Sequence, residues 1–460
     1  MSLLIKNGRI ITATDDYVAD IFIEGETIKT IGKNLLVTAD KTIDASGKLV
    51  FPGGIDPHVH LDMPFMGTYS SDNYETGTRA ALYGGTTMVI DFILQKQGNS
   101  LHAALEEWQG RSSSNCVGDY SFHMAVTDFN DNTKTEIKDF IEEEGITSFK
   151  AFMAYKGALM IDDRQMIGLM EEVKKHGGLI NVHATNGDMI DYLTQKHRNE
   201  GKLSPLYHYL SQPEITEAEA SERFVDMASY TGCPGYIVHL TCEGALNAVR
   251  NATKRNQKMF VETCIQYLIL DASLYEQNFE GAKWVMSPPL REKKDQQTLW
   301  AGINQGLVQV VATDHCPFKW EQKLMGKDDF SKIPNGHPAI ENRMELLFSE
   351  GVAKNKITLN KYVEVACTNP AKIFGMFPRK GTIAVGSDAD IVIFDANEKH
   401  ILSAKTHHMN VDYSGYEGWE VTGKVKTVFL RGEVDIENNE CKIEKGFGKF
   451  IKRNKVSQTI

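Results

Sequence analysis

Eight short apolar runs recur through the middle of this 460-residue chain, most of them separated by stretches of helical periodicity. The runs are Ile55–His60, Thr87–Phe92, Tyr120–Val126, Ser148–Met153, Leu179–Ala184, Tyr236–Leu240, Met259–Cys264 and Gln309–Thr313. Helical patterns between them include Lys134–Glu144, Asp163–His176, Glu217–Tyr230 and Glu243–Arg255. Strands covered by helices are buried on both faces, so they read as continuous apolar runs rather than as polar–apolar alternation. Eight strands alternating with helices predict an α/β chain folded as a (β/α)₈ TIM-like barrel.

Both ends of the chain read differently. LLIKNGRIIT, DIFIEGETIKTIG and GKLVF near the start, and ADIVIFD and KVKTVFLRGEVD near the end, are β-branched stretches broken by Gly, Asn and Asp. They predict a small β-sandwich domain built from both termini. The expected boundaries are 1–52 for its first part, 53–375 for the barrel and 376–440 for its second part. Residues 441–460 are expected to form a basic tail that packs on a neighbouring subunit.

Charge and cysteine usage exclude several classes. A formal net charge of -11 without a basic run repels phosphates, so nucleic acid is not an expected partner. No apolar run approaches the ~20 residues of a membrane span. The seven cysteines form no CxxC pair and are odd in number, which points to a reducing, cytoplasmic setting rather than a disulfide framework.

The informative residues stand where the runs end, the rim at which this barrel class builds its chemistry. Strand one ends with His58 and His60, whose i, i+2 spacing on extended backbone puts both imidazoles on one face. Lys150 stands in strand four, His183 ends strand five, His239 ends strand six, and Asp314 follows strand eight. A lone histidine at a strand end is more often structural, and a lysine in a strand more often snorkels to water. Four histidines, a lysine and an aspartate on one rim are a different matter. Imidazole and carboxylate suit zinc or a similar divalent ion. Two such ions about 3.5–4 Å apart can share a water and deprotonate it near neutral pH. His315 and His337 lie nearby in sequence and are expected to play secondary parts.

The motifs PGGIDPHVHLD, YGGTTMVIDF, SFKAFMAYKG, NVHATN, VHLTC, MSPPLR, ATDHCPF and GTIAVGSDADIVIFD together resemble the amidohydrolase superfamily. Within it, HLDMPFMGTYSSDNYETGT and SFKAFMAYKG are similar to the D-hydantoinase and dihydropyrimidinase branch, and the likeness runs from about Leu3 to Asp435. The resemblance implies two divalent ions per subunit, zinc or alternatively manganese or cobalt. His58, His60 and Asp314 would hold one, His183 and His239 the other. Lys150, carboxylated on its amine as a carbamate, would bridge them. A bare ammonium has no acceptor and could not be a ligand. The implied chemistry is hydrolytic ring opening of cyclic ureides, hydantoins and dihydropyrimidines, to N-carbamoyl amino acids. In it a metal-held hydroxide attacks, Asp314 shuttles the proton and Tyr155 stabilises the oxyanion. Ser287 and Asn335 match segments that bind the ring, largely through backbone groups. A homotetramer is also implied.

Met63, Phe65, Phe152 and Leu159 form an apolar set suited to a hydrocarbon ring substituent. Dihydroorotases of this scaffold carry an arginine two residues after the second histidine. Here that position is Asp62, expected to repel a substrate carboxylate. Allantoinase is the harder alternative to separate. Non-enzymatic collapsin-response-mediator-like proteins share the scaffold but are expected to lack parts of the ligand set.

Overall fold

The computed structural model describes residues 2–437 and 439–456. The eight runs are parallel strands of one sheet, at Gly54–Val59, Thr86–Leu94, Asp119–Ala125, Ser148–Phe152, Leu179–His183, Gly235–Ile237, Met259–Cys264 and Val310–Ala312. They pair in chain order. The ring closes where Val59 bridges His315 in parallel, with the His60 N–H donating to the His315 carbonyl at 2.8 Å. Every residue of strands one, four, five and seven is buried, so the polar side chains they carry, such as His58, Lys150, His183 and Glu262, are held in the interior.

Helix Asp163–His176 shows how local sequence sets these units. Asp162 accepts from the Gln165 N–H at 2.8 Å, and the Gln165 side chain accepts from the Asp162 N–H, closing a capping box. Met166, Leu169, Met170 and Val173 fall on one buried face. Gly177, at φ 83°, ends the helix in the left-handed region that glycine enters without a Cβ clash.

The β-rich ends meet in a nine-stranded sheet. Its joint is Leu49–Pro52, which runs parallel to Ser2–Ile11 and antiparallel to Ile391–Ile401. Ser2–Ile11 pairs with Lys41–Asp44 through its first half and with Leu49–Pro52 through its second, and there the sheet divides. Leu3, Ile5, Ile21, Ile23, Ile391 and Phe429 belong to a core cluster separate from that of the barrel. The segment expected as a tail packs on its own barrel as far as it is described. Phe450 lies against Tyr120 and Phe122, Ile451 is buried, and Arg453 donates to Ser121 Oγ at 3.0 Å. The last four positions of that expected tail, 457–460, lie outside the described residues. No described helix is long and apolar enough to cross a membrane.

A buried ion cluster fastens the barrel to the sheet. Lys380 Nζ lies 2.6 Å from Asp119, 2.6 Å from Asp390 and 3.0 Å from Asp388. Arg431 is a second cation on Asp119. The three aspartates have the spacing of a cation site, but the Lys380 ammonium fills it. Removing one partner of a buried ion pair typically costs about 3–5 kcal/mol, because the remaining charge is left uncompensated. Lys380→Met is therefore expected to lower stability by that order, read as a shifted midpoint in equilibrium denaturation. An unchanged midpoint would contradict the role given to the cluster.

Candidate metal centre

The donor residues lie at the ends of strands one and five, at the middle of strand four in the case of Lys150, and just beyond strands six and eight. His58 Nε2 and His60 Nε2 each lie 3.1 Å from Asp314 Oδ1. One donor atom from each of these three lies within 4.8 Å of the others. Beside them, His183 Nδ1 and His239 Nε2 face each other at 2.8 Å, and the His239 ring stacks on His58 at 5.4 Å. Lys150 lies between the two groups. Its Nζ is 4.9 Å from the Phe92 ring, which packs on His58 and His60, and 5.3 Å from the Phe152 ring, which packs on His183. Its contacts are thus with ring faces, and its side chain is 1% exposed.

Backbone geometry marks the same region. His239 (φ 40°), Asp314 (φ 52°) and Tyr155 (φ 65°) all sit in the left-handed region, which non-glycine residues enter rarely and at a cost. Each lies just past a strand, where the chain turns away and the side chain is left in the barrel mouth.

Burial and neighbouring charge set the protonation states. Burial pulls the Lys150 amine down to about 7. It pulls His183 to about 3, helped by Lys150, and His239 well below the usual imidazole range. Those imidazoles keep their lone pairs, as ligands to a cation must. Burial also opposes charge on His58, but Glu262 and Asp314 outweigh it and raise that ring to about 9. A cation at this point would take the place of the His58 proton. Burial likewise opposes ionisation of Asp314, yet His58 and His60 hold its carboxyl well below the usual range. Convergent imidazole nitrogens beside an ionised carboxylate form a donor set that fits a divalent metal.

The lining of the pocket above these donors includes each residue expected to bind metal, act in catalysis or contact the ring and its substituent. Met63, Phe65, Leu94, Phe152 and Leu159 supply apolar wall. Tyr155, Ser287 and Asn335 supply polar wall, with Asn335 Nδ2 donating to Ser287 Oγ at 3.0 Å and Gln212 Nε2 donating to the same oxygen at 3.1 Å. Burial lifts the Tyr155 phenol above its ordinary range, against the pull of Ser287 and Asn335, so the hydroxyl stays a donor.

Other residues depart from the sequence reading. Asp62 does not line this pocket; its carboxylate lies 3.5 Å from Arg111, and its backbone turns at φ 51°. Asp62 therefore does not stand where it was expected to repel a substrate carboxylate, and the wall there is Met63 and Phe65. His315 is taken up by Asp72 at 3.0 Å and by the Ala339 N–H at 3.1 Å, and His337 is buried against the Tyr416 ring; neither lines the pocket. Glu262 went unremarked in the sequence. It is fully buried, accepts from His58 Nδ1 at 2.6 Å, from the His239 N–H at 3.0 Å and from the Tyr236 hydroxyl at 2.9 Å. One carboxylate thus orients a residue from each donor group, as outer-shell carboxylates do in metal sites. A charged residue inside the apolar run Met259–Cys264 was the available signal.

Residues 49–434 match the model of the amidohydrolase family. A D-hydantoinase from Geobacillus stearothermophilus is 48% identical over 99% of this chain and 97% of its own length. A dihydropyrimidinase from Rattus norvegicus is 40% identical over 100% of this chain and 90% of its own. Among solved structures, the dihydropyrimidinase from Brevibacillus agri NCHU1002 superposes with a TM-score of 0.99 at 47% identity, covering 100% of both chains.

Proposed function

This chain belongs to the amidohydrolase family, and from that premise we propose how its pocket opens a cyclic ureide. The enzyme is a cyclic amidohydrolase acting on hydantoin and dihydropyrimidine rings, in keeping with its full-length relatives. The observation that carries the site reading is the convergence of His58, His60, Lys150, His183, His239 and Asp314 on one pocket. His58, His60 and Asp314 would hold one divalent ion, His183 and His239 a second, with Lys150 joining them once its amine is carboxylated. When bound, the pair supplies a water acidified to near neutral pH and a Lewis acid for the ring carbonyl. Zinc is the ion we assign, from the imidazole-rich donors. A homotetrameric, cytoplasmic enzyme completes the reading on resemblance alone.

The chain's own groups then have distinct work. The Asp314 carboxylate, ionised throughout the neutral range, takes a proton from the attacking water and returns it to the ring nitrogen as the C–N bond breaks. The Tyr155 hydroxyl donates to the carbonyl oxygen as it gains charge. Ser287, Asn335 and their backbone neighbours hold the flat ring edge, while Met63, Phe65, Phe152 and Leu159 cover its substituent and exclude water. Tyr155→Phe should leave metal content unchanged and lower kcat about 10²–10³-fold, the usual effect of one lost oxyanion donor. Loss of metal in that variant would show that Tyr155 is structural instead.

A substrate panel tests the reading. Hydantoin, 5-substituted hydantoins and dihydrouracil should be opened far faster than dihydroorotate, whose carboxylate would be buried unpaired against apolar wall. Allantoin completes the panel. Dihydroorotate or allantoin turned over faster than every hydantoin and dihydrouracil would displace this assignment.

A further inference from the structure

Lys323 is not part of the wall of the metal-centre pocket, and it is 0% exposed. It ends the short helix Trp320–Lys323, in the loop beyond strand eight. Its Nζ donates to three backbone carbonyls: Val285 at 3.0 Å, Pro334 at 2.7 Å and Gly336 at 2.9 Å. An ammonium has three donors and no acceptor, so these bonds saturate it. Burial pulls its pKa down to about 7, and the three carbonyl dipoles offset part of the cost of keeping a charge there.

The identity of those carbonyls is the informative part. Val285 stands two residues before Ser287, and Pro334 and Gly336 flank Asn335. Neither segment 285–287 nor 334–336 belongs to a helix or strand, so no ladder of its own fixes it. They touch through the Gly336 N–H, which donates to the Val285 carbonyl at 2.9 Å, and through the Asn335–Ser287 bond. Gly336 itself lies so close to the chain that an added Cβ would sit 2.0 Å from the Cys316 carbonyl. The two segments are thus gathered around one ammonium and seated on the backbone beside Asp314.

We propose that Lys323 is a positioning residue for ring binding. It clamps the two irregular segments so that Ser287 and Asn335 meet the edge of the ureide ring at a set spacing. A planar ring offers alternating N–H and C=O groups in one plane, so the segments that read it must not drift relative to each other. Misplacement by about 1 Å can cost on the order of 10²-fold in rate. The proposal rests on the ring-opening reading above.

Steady-state kinetics of Lys323→Gln and Lys323→Met on hydantoin and dihydrouracil test it, with metal content and thermal midpoint measured alongside. Gln retains two donors and Met none, so KM should rise in the order native, Gln, Met. The Met variant should reach about tenfold or more, with a smaller change in kcat and full metal content. Ile451→Ala, buried near the start of strand three, serves as a destabilised control whose KM should stay native. If Lys323→Met fails to fold, the Gln variant against the Ile451→Ala control decides the matter. An active native protein in which Lys323 variants shift KM no more than that control would overturn the positioning role alone. A native protein inactive on both rings would overturn the ring-opening reading and this proposal with it.

Discussion

Lys150→Ala is expected to leave a folded protein without its metal pair and without measurable ring opening. The reasoning starts from burial. Lys150 is 1% exposed, meets the faces of Phe92 and Phe152, and is drawn down by burial to about 7. An amine that loses its proton this readily is a nucleophile for carbon dioxide, and the carbamate formed has the carboxylate oxygens that an ammonium lacks. Outer-shell losses alone typically reduce metal affinity 10–100-fold, and the loss of a bridging ligand should exceed that. The metal-free protein should not suffer comparably, since a desolvated amine is replaced by a methyl group. Metal analysis, turnover and the thermal midpoint of the metal-free protein separate these effects. Added short carboxylic acids should restore part of the activity by standing in for the carbamate. Normal turnover with both ions retained would end the bridging role.

Asp314→Asn is the second large effect. The substitution keeps an oxygen near His58 and His60 but removes the group that accepts and returns the proton. General acid–base groups typically contribute ~10²–10⁴-fold, and kcat should fall within that range at saturating metal. The left-handed backbone at φ 52° suits Asn as well as Asp, so the loop should keep its shape. Removal of Asp314 also takes away one of the two carboxylates that hold a proton on His58, so that imidazole should titrate lower in the metal-free variant. Near-normal kcat in a variant with intact metal would require a different base.

Several parts of this site could be read from residue order because the physics involved is local. A strand alternates its faces, so His58 and His60 point together, and the apolar runs announce strands covered on both sides. Capping at Asp162 and the turn at Gly177 bound a helix within its own segment. Asp62 shows the limit of such reading. It is two residues from His60, but a left-handed turn and Arg111 take its carboxylate elsewhere. Lys323 shows it from the other side: among Gln322, Lys327, Asp328 and Asp329 it reads as surface, and only its three carbonyl partners reveal it as interior.

Strand and helix periodicity, the β-rich character of both ends and the residue types standing at the strand ends are all legible in residue order. Those follow from side-chain alternation, capping and turn preference over a few neighbouring residues. Long-range packing, by contrast, brings His58 to Glu262, 204 positions away, closes the ring at Val59 and His315, and returns the final segment to pack on strand three. The charge each group carries is set the same way, since burial and through-space neighbours, not position in the chain, make the Lys150 amine easy to deprotonate and Asp314 a lasting carboxylate.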